Sequence, residues 1–480
     1  MVIVRARVSA WASFSSAGSR GAVAADGLRS QTSMPVSPAR AAAYDILFQV
    51  EQEDAYASEL LHSARYAELS TADHGLTTEL VMGVLRWRSL IDSAISHVSS
   101  QRLEKLDLEV LTALRLAAYQ LGWLDRIPPR AAIHESVELV KRARKRSAAP
   151  FANAILRKLA QSTSASHPRS ELIRAATTPT ELAAASSHPL WIVQRWISQF
   201  GLQVAGKICD YDQSPPATAI RVRAASAEEE LRRDNVQLTA GAFLSDARRV
   251  HSGDVTKTKA FAEGRVAIQD EASQLIAALV GEGSRILDCC AAPGGKTWSI
   301  ADRNPRSTIV AVESHSHRAR LLRQRVAANN VQVLTADMRD LPVAERFNRV
   351  LVDVPCSGTG TLARHPEIKW RLKPEDLTDL HSRQLSMLQA AMKHVAPAGK
   401  LVYSTCSLEP DEDESVIDES VRANQSFRLL DARSELERLD CTGRVAAIDL
   451  ASLVQGVYLR TFPGVHPCDG FFAAILERSQ

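Results

Sequence analysis

The stretch Arg285 to Thr297, RILDCCAAPGGKT, admits few folds. Ile286 and Leu287 form an apolar run after the polar GEGSR. The run is too short for a helix and is bounded by turn formers, so it reads as a buried strand. Pro293, Gly294 and Gly295 then force a sharp turn, and glycine lets the backbone approach a ligand because no Cβ stands in the way. Lys296 to Asp302 opens a helix. Strand, glycine-rich turn and helix together make the nucleotide-binding crevice of a doubly wound α/β sheet. A lone glycine turn would be weak evidence, but three more apolar runs follow. Thr308 to Val312 ends in Glu313, Val331 to Leu334 is followed by Asp337, and Arg349 to Val352 ends at Asp353. With Asp288, four strand candidates thus carry a carboxylate at or just after their carboxyl ends, where open α/β sheets bind ligands. Glu313 stands about 20 residues past the turn, close to where an acidic residue meets a nucleotide's ribose. Helix capping accounts for any one of these acids but less well for the set. The chain has no GxGxxG and no GxxxxGK[ST], so it carries neither a dinucleotide fingerprint nor a P-loop.

Two cysteines follow strand ends on this side of the sheet. Cys356 comes after Asp353 and Pro355, and Cys406 after the strand Lys400 to Tyr403. Free cysteines are mostly buried small hydrophobes, but both of these are flanked by Ser, Thr and Gly. A thiolate so placed can act as a nucleophile.

AAPGGKT (291–297), DVPCSGTGTLARHPEIKW (353–370) and YSTCSLEPDEDE (403–414) occur in that order. Together they resemble the RNA 5-methylcytosine methyltransferases, and most of all the RsmB family of ribosomal RNA enzymes. The resemblance implies S-adenosylmethionine as cofactor, small-subunit ribosomal RNA as partner and a Rossmann-like catalytic domain. It implies Cys406 as the nucleophile, Cys356 as an aid to product release and Asp353 as a hydrogen-bond partner of the cytosine ring. Lys296 would stand near the reacting centre. The cofactor site would comprise Cys290, Ala291, Ala292, Pro293, Gly294, Gly295, Lys296, Glu313, Asp337 and Asp353. In it Glu313 would hold the ribose hydroxyls and Asp337 the adenine amino group. The chain departs from the family's more usual residues at Glu313, Val354 and Thr359, none of which is expected to touch the chemistry. A cytosine-5 methyltransferase acting on transfer RNA or another RNA, and a non-catalytic RNA-binding or antitermination factor, are the alternatives. The intact cysteines and crevice carboxylates argue against the second.

The fold class expected is multidomain, with an all-α bundle, a small α+β lobe and a class I methyltransferase domain. Residues 37–165 are helical in pattern. Ser37 is a candidate N-cap with Pro38 at the first helical position, and Leu108, Leu111, Leu114, Leu116 and Leu121 repeat at helix spacing. The stretch from Leu114 to Leu159 resembles the NusB-like RNA-binding domain that precedes the catalytic domain in the RsmB family. Its Lys141, Arg142, Arg144, Lys145 and Arg146 read either as a phosphate-binding patch or as a solvated face. Tyr119 and Trp123 are read as core. Residues 166–186, rich in Ala, Ser and Thr, are expected to be a linker with a short helix. Residues 187–263 form the small lobe, in which HPLWIVQRWISQFG (188–201) is an amphipathic helix packed on a neighbour and PPATAIRVR (215–223) a strand. Arg221 and Arg223 share one side of that strand, which suits a nucleic-acid backbone or an ordinary exposed face. The catalytic domain is expected over 264–480. The acidic run Glu409 to Glu414 would repel phosphate and is read as the start of a helix, where acids suit the macrodipole.

Residues 1–36 are rich in Ser, Ala and Gly, with Arg5, Arg7, Arg20 and Arg29 against only Asp26. A transit peptide has such a composition, but an unstructured arm or a start at Met34 is the simpler reading. Net charge is only +3, so nucleic-acid binding must come from local patches. The seven cysteines have neither framework nor metal-ligand spacing, which points to a reducing compartment, a cytoplasmic protein and no metal. No run of about 20 apolar residues marks a membrane span, and a monomer is expected.

Overall fold

The computed structural model describes residues 36–162, 169–223, 225–326, 328–344, 346–441, 443, 445 and 450–480. The arm or alternative start proposed for the first residues lies outside them.

The amino-terminal third is a helical bundle. Its helices are α1 (Pro38–Glu53), α2 (Ala57–Leu61), α3 (Thr71–Arg86), α4 (Arg88–Val98), α5 (Leu108–Trp123), α6 (Pro129–Arg142) and α7 (Ala149–Ser162). Every residue of α5 from Val110 to Gln120 is buried. A helix covered on all sides belongs at the centre of its domain, and α1, α3, α4, α6 and α7 all pack on α5. Its polar side chains are satisfied inside. Arg115 forms a two-pronged bond to Asp92 at 2.7 and 2.8 Å, and Gln120 accepts from Arg40 at 2.6 Å. Ser37 stands at the N-cap of α1 with Pro38 behind it, but its hydroxyl donates to Glu135 at 2.7 Å instead of capping the helix. Tyr119 is core, stacked on Trp123, which also meets Trp87.

Three helices follow, α8 (Arg169–Ala175), α9 (Pro179–Ser186) and α10 (Leu190–Asp212). The stretch expected as a linker with a short helix therefore carries two helices. Thr178 and Glu181 form a reciprocal capping box at the start of α9. Ile173 and Leu182 join Ile192, Val193 and Trp196 of α10 in a core shared with Leu362, Ile368 and Leu408 of the catalytic domain. Few large apolar residues are needed there, because alanines let the helices approach closely.

Next come β1 (Ala219–Val222), α11 (Ala225–Arg233), β2 (Gln237–Ala240), β3 (Ala247–Ser252), α12 (Lys259–Ala262) and β4 (Val266–Ile268). The strands form an antiparallel sheet in the order β2-β3-β1-β4. The stretch expected to open the catalytic domain thus begins by closing this small sheet. Arg221 and Arg223 do lie on one face, and that face turns toward the catalytic domain, with Arg221 buried and Arg223 still exposed. Both guanidinium groups lie over the Trp298 ring, 4.7 and 4.8 Å from its centre, and both bond Asp302. They fasten the small sheet to the catalytic domain.

The catalytic domain continues with α13 (Glu271–Leu279), β5 (Arg285–Asp288), α14 (Gly295–Arg303), β6 (Thr308–Glu313), α15 (Ser316–Arg325), β7 (Val331–Thr335), β8 (Phe347–Asp353), α16 (Ile368–Arg371), α17 (Pro374–Met392), β9 (Val395–Thr405), α18 (Glu414–Ala423), β10 (Phe427–Leu430), α19 (Ala432–Asp440), β11 (Val454–Gln455), β12 (Tyr458–Thr461) and β13 (Phe471–Arg478). Among the described residues these strands form one nine-stranded sheet, ordered β11-β12-β13-β9-β8-β5-β6-β7, with β10 also on β13. The five strands from β7 to β9 are parallel, and β13 runs antiparallel to β9. The four central β5 residues and those of β6 are buried almost throughout, as strands covered on both faces by helices must be. From β5 the chain builds outward through β6 and β7, then crosses back to place β8 on the other side. The strand order reverses between β5 and β8, so the ligand crevice of this sheet lies at their carboxyl ends.

Candidate active site

Asp288, Glu313 and Asp353 lie together at that crevice, and Asp337 follows the neighbouring edge strand β7. Asp288 is the last residue of β5 and is fully buried, accepting from Thr297 Oγ1 at 2.6 Å; burial pushes its carboxyl up to about 6. Glu313 ends β6, also buried, and accepts from the backbone N–H of His315 at 2.9 Å. Asp337 follows β7 and is gripped by Arg339, whose hydrogen bonds hold it below the usual carboxylate range. Asp353 ends β8. Its two oxygens accept from Lys296 Nζ at 2.8 Å and from Ser404 Oγ at 2.7 Å. Burial disfavours the Lys296 ammonium, but the Asp353 carboxylate outweighs it and the pKa is raised.

The loop from Cys290 to Gly295 forms the floor. Gly294 has φ +107°, a conformation that L side chains rarely adopt, and a Cβ there would also press within 2.8 Å of Leu322 and Val326. Gly295 faces Gln269, whose buried Oε1 has no partner among the described residues. Burial raises the Cys290 thiol, and the neighbouring Asp288, Asp353 and Glu313 raise it further. The crevice is thus rich in hydrogen-bond acceptors and negative in potential. Such a set of acceptors fits a ligand that donates from hydroxyls and an exocyclic amine and carries a positive centre, as S-adenosylmethionine does.

The two cysteines predicted from their loops stand side by side. Cys356 Sγ and Cys406 Sγ are 3.2 Å apart, both partly exposed. β8 and β9 pair in parallel through Asp353 and Ser404, so the loops leaving them run together. The bond to Cys406, reinforced by burial, pushes the Cys356 thiol well above its ordinary value.

What holds these loops was not read from the sequence. Glu412, fully buried, accepts from the backbone N–H of Ser357 and from Gln384 Nε2, both at 2.8 Å, and from Ser407 Oγ at 2.5 Å. Ser357 Oγ bonds it as well. One carboxylate thereby ties the residue after Cys356 to the residue after Cys406. Glu409 is buried too, accepting from Arg195 at 2.6 Å and Trp196 Nε1 at 3.1 Å, and Asp413 accepts from Thr405 Oγ1 at 2.6 Å. The acidic run is thus mostly a buried turn before α18, not the exposed start of a helix. The Thr359 hydroxyl accepts from the backbone N–H of Leu408 at 2.9 Å, two residues past Cys406. Acids directly after a Ser/Thr/Cys loop were the available signal, since such hydroxyls need acceptors when buried.

The basic cluster lies far along the sequence on the bundle, at the end of α6. Acids meet three of its members, one from α6 itself and two from elsewhere in the bundle. Lys141 pairs with Glu138 at 2.6 Å, Arg142 with Asp45 at 3.6 Å and Lys145 with Asp107 at 2.9 Å. Arg144 and Arg146 are exposed and have no carboxylate partner among the described residues. Among the described residues no helix is long and apolar enough to cross a membrane, and no cluster of three or more His, Cys, Asp or Glu could hold a metal.

A Rossmann-like sheet with this crevice, preceded by a NusB-like helical bundle, defines a methyltransferase fused to an RNA-binding type of domain. The family model for 16S rRNA methyltransferase RsmB/F matches residues 276–477, and that of the NusB family matches residues 37–161. The chain belongs to the RsmB/F family. It is 33% identical over 409 residues to the "Probable ribosomal RNA small subunit methyltransferase B" of Bacillus subtilis (strain 168), across 82% of this chain and 90% of that protein. It is 30% identical over 452 residues to the "Ribosomal RNA small subunit methyltransferase B" of Vibrio cholerae, across 92% of this chain and 97% of that protein. The solved structure of PH0851 shares the fold, with a TM-score of 0.75 over 92% of this chain and 99% of that one at 21% identity.

Proposed function

We propose that this chain methylates carbon 5 of a cytosine in small-subunit ribosomal RNA through a covalent bond to Cys406. The observation that carries the reading is the pair of thiols 3.2 Å apart beside the Lys296–Asp353 ion pair, at the point where strand order reverses. Carbon 5 of cytosine is a poor nucleophile until a nucleophile adds at carbon 6. A thiolate does this well because it is soft and easily deprotonated. Cys406 takes that role and Cys356 assists departure of the product, as in the family the chain belongs to. Asp353 hydrogen-bonds the cytosine ring while Lys296 and Ser404 hold it in place. S-adenosylmethionine, when bound, supplies the electrophilic methyl group on a sulfonium. Glu313 would hold its ribose hydroxyls, Asp337 its adenine amine, and the Cys290–Lys296 loop its remaining contacts. Loss of the carbon 5 proton and of the Cys406 sulfur then restores the aromatic ring.

The target base must leave its stack to reach the thiols, at a cost of a few kcal/mol that is least for an unpaired base. Unpaired RNA loops are therefore the substrates this crevice suits. Arg144 and Arg146 on the bundle would add phosphate contacts away from the reacting base. Bisulfite sequencing of ribosomal RNA from a strain lacking this protein tests the reading. One small-subunit cytosine should lose its protection, and restoring the gene with Cys406→Ala should not return it. Unchanged protection throughout small-subunit RNA would refute it.

A further inference from the structure

We infer that Tyr56 of the helical bundle is a stacking platform for an unpaired RNA base next to the reacting thiols. The inference rests on the methyltransferase reading above. Tyr56 occupies the turn between α1 and α2, far in sequence from every catalytic motif. The catalytic domain nevertheless fixes that turn in place. The backbone N–H of Ala57 donates to the buried Glu367 at 3.0 Å, and the Arg371 guanidinium donates to the carbonyls of Val50, Asp54 and Ala55 at 2.5, 2.8 and 2.7 Å. From there the connection to the thiols is short. The backbone N–H of His365 donates to Thr361 at 2.9 Å, and that of Gly360 donates to the carbonyl of Cys406 at 2.9 Å.

On this fixed turn the neighbouring Ala57 and Leu61 are buried, as apolar side chains should be. Tyr56 is not: 44% of it is exposed. Its ring meets His365 edge-on, at 5.5 Å and 78°, a contact that covers at most one face. Burial raises its phenol, and the Glu367 carboxylate and the Cys406 thiol raise it further. A large exposed aromatic held rigidly at the edge of a site is costly in water and useful for one purpose here. Every base has a π-face, and base–aromatic stacking needs no particular sequence. A platform at this place would hold the neighbour of an extruded cytosine, so the bundle would contribute to substrate positioning and not only to general RNA affinity.

The test uses the full chain and transcribed small-subunit ribosomal RNA with excess transfer RNA as competitor. Tyr56→Ala should weaken binding about tenfold and Tyr56→Phe by less than about twofold, since the ring and not the hydroxyl stacks. Both variants should keep wild-type affinity for S-adenosylmethionine and a wild-type unfolding midpoint. Ultraviolet cross-linking of the wild-type complex should leave a nucleotide on the peptide that contains Tyr56. Undiminished RNA binding by Tyr56→Ala, a Phe variant as weak as the Ala variant, or cross-links confined to other peptides would each overturn the platform. Binding and cross-linking are read without turnover. Failure to form 5-methylcytosine would therefore sink the proposed reaction and leave the platform to its own result.

Discussion

Replacing Glu412 should damage catalysis without touching any reacting atom. Its carboxylate has no exposure and accepts from four donors: the backbone N–H and hydroxyl of Ser357, the hydroxyl of Ser407 and the amide of Gln384. Glu412→Gln keeps one oxygen and turns the other into a donor. If the amide oxygen stays with the Ser357 N–H and Gln384, its NH2 group faces two hydroxyls that can rotate to accept. That geometry loses little more than the charge-assisted part of two bonds, so destabilisation should be about 1–3 kcal/mol. Glu412→Ala orphans all four donors at about 1 kcal/mol or more each and leaves a cavity, so about 4 kcal/mol or more is expected. The kinetic effect should be larger for the Gln variant than its stability suggests. Ser357 and Ser407 directly follow the two cysteines, and a shift of about 1 Å between reacting groups can cost about 100-fold in rate. Urea denaturation and single-turnover methyl transfer to small-subunit RNA measure the two effects. Calorimetry with S-adenosylmethionine should show unchanged affinity, because Glu412 lies outside the cofactor crevice. A Glu412→Gln enzyme with wild-type stability and wild-type single-turnover rate would refute the idea that this carboxylate aligns the thiols.

Three further outcomes are expected. Cys356→Ala should accumulate a protein–RNA adduct that survives a denaturing gel in the presence of cofactor, whereas Cys406→Ala should form none, because addition and elimination are separate steps and only the first needs the attacking thiolate. An adduct trapped by Cys406→Ala would exchange the roles of the two thiols. Glu313→Ala and Asp337→Ala together should abolish S-adenosylmethionine binding by the full chain in calorimetry; undiminished heat of binding would remove both from the cofactor site. Arg144→Gln with Arg146→Gln should flatten the salt dependence of RNA affinity by about two units of log–log slope, about one per lost phosphate contact. An unchanged slope would make the cluster a solvated surface.

The parts of this molecule that could be read in advance are those whose logic is local. The AAPGGKT turn, the runs ending in Asp288, Glu313 and Asp353, and the two Ser/Thr-flanked cysteines each carry their meaning within a dozen residues. Reading failed where a residue's partner is distant. Glu409, Glu412 and Asp413 looked like solvated acids because their donors, Arg195, Ser357, Gln384 and Arg460, are far along the chain or belong to other elements. The cations at 141–146 looked unopposed because Asp45 and Asp107 come from other helices. Arg221 looked like a phosphate ligand until Trp298 and Asp302 were brought under it by the fold. Residues 166–186 read as a linker with a single short helix because small residues carry little periodic signal even when they pack in a helix. No pattern around Tyr56 could have disclosed its neighbours, since His365 lies 309 positions later and meets it only through domain packing.

The segment from Ala363 to Arg371 binds the bundle chiefly through main-chain groups. Lys369 Nζ donates to the carbonyl of Arg86 at 2.9 Å, Trp370 Nε1 to that of Leu85 at 2.6 Å, and Arg371 to the end of α1, while Arg86 donates to the carbonyl of Ala363 at 2.9 Å. Carbonyls at helix ends have no partner within their own helix, so the catalytic domain finishes the ends of α1 and α3, and Arg86 of the bundle in return holds a turn carbonyl. A catalytic fragment cut free of the bundle would carry Lys369 with its acceptor gone, and the bundle alone would end α1 and α3 unsealed. The two halves can therefore drift apart in sequence over evolution while this seam persists, because backbone acceptors are common to every side chain.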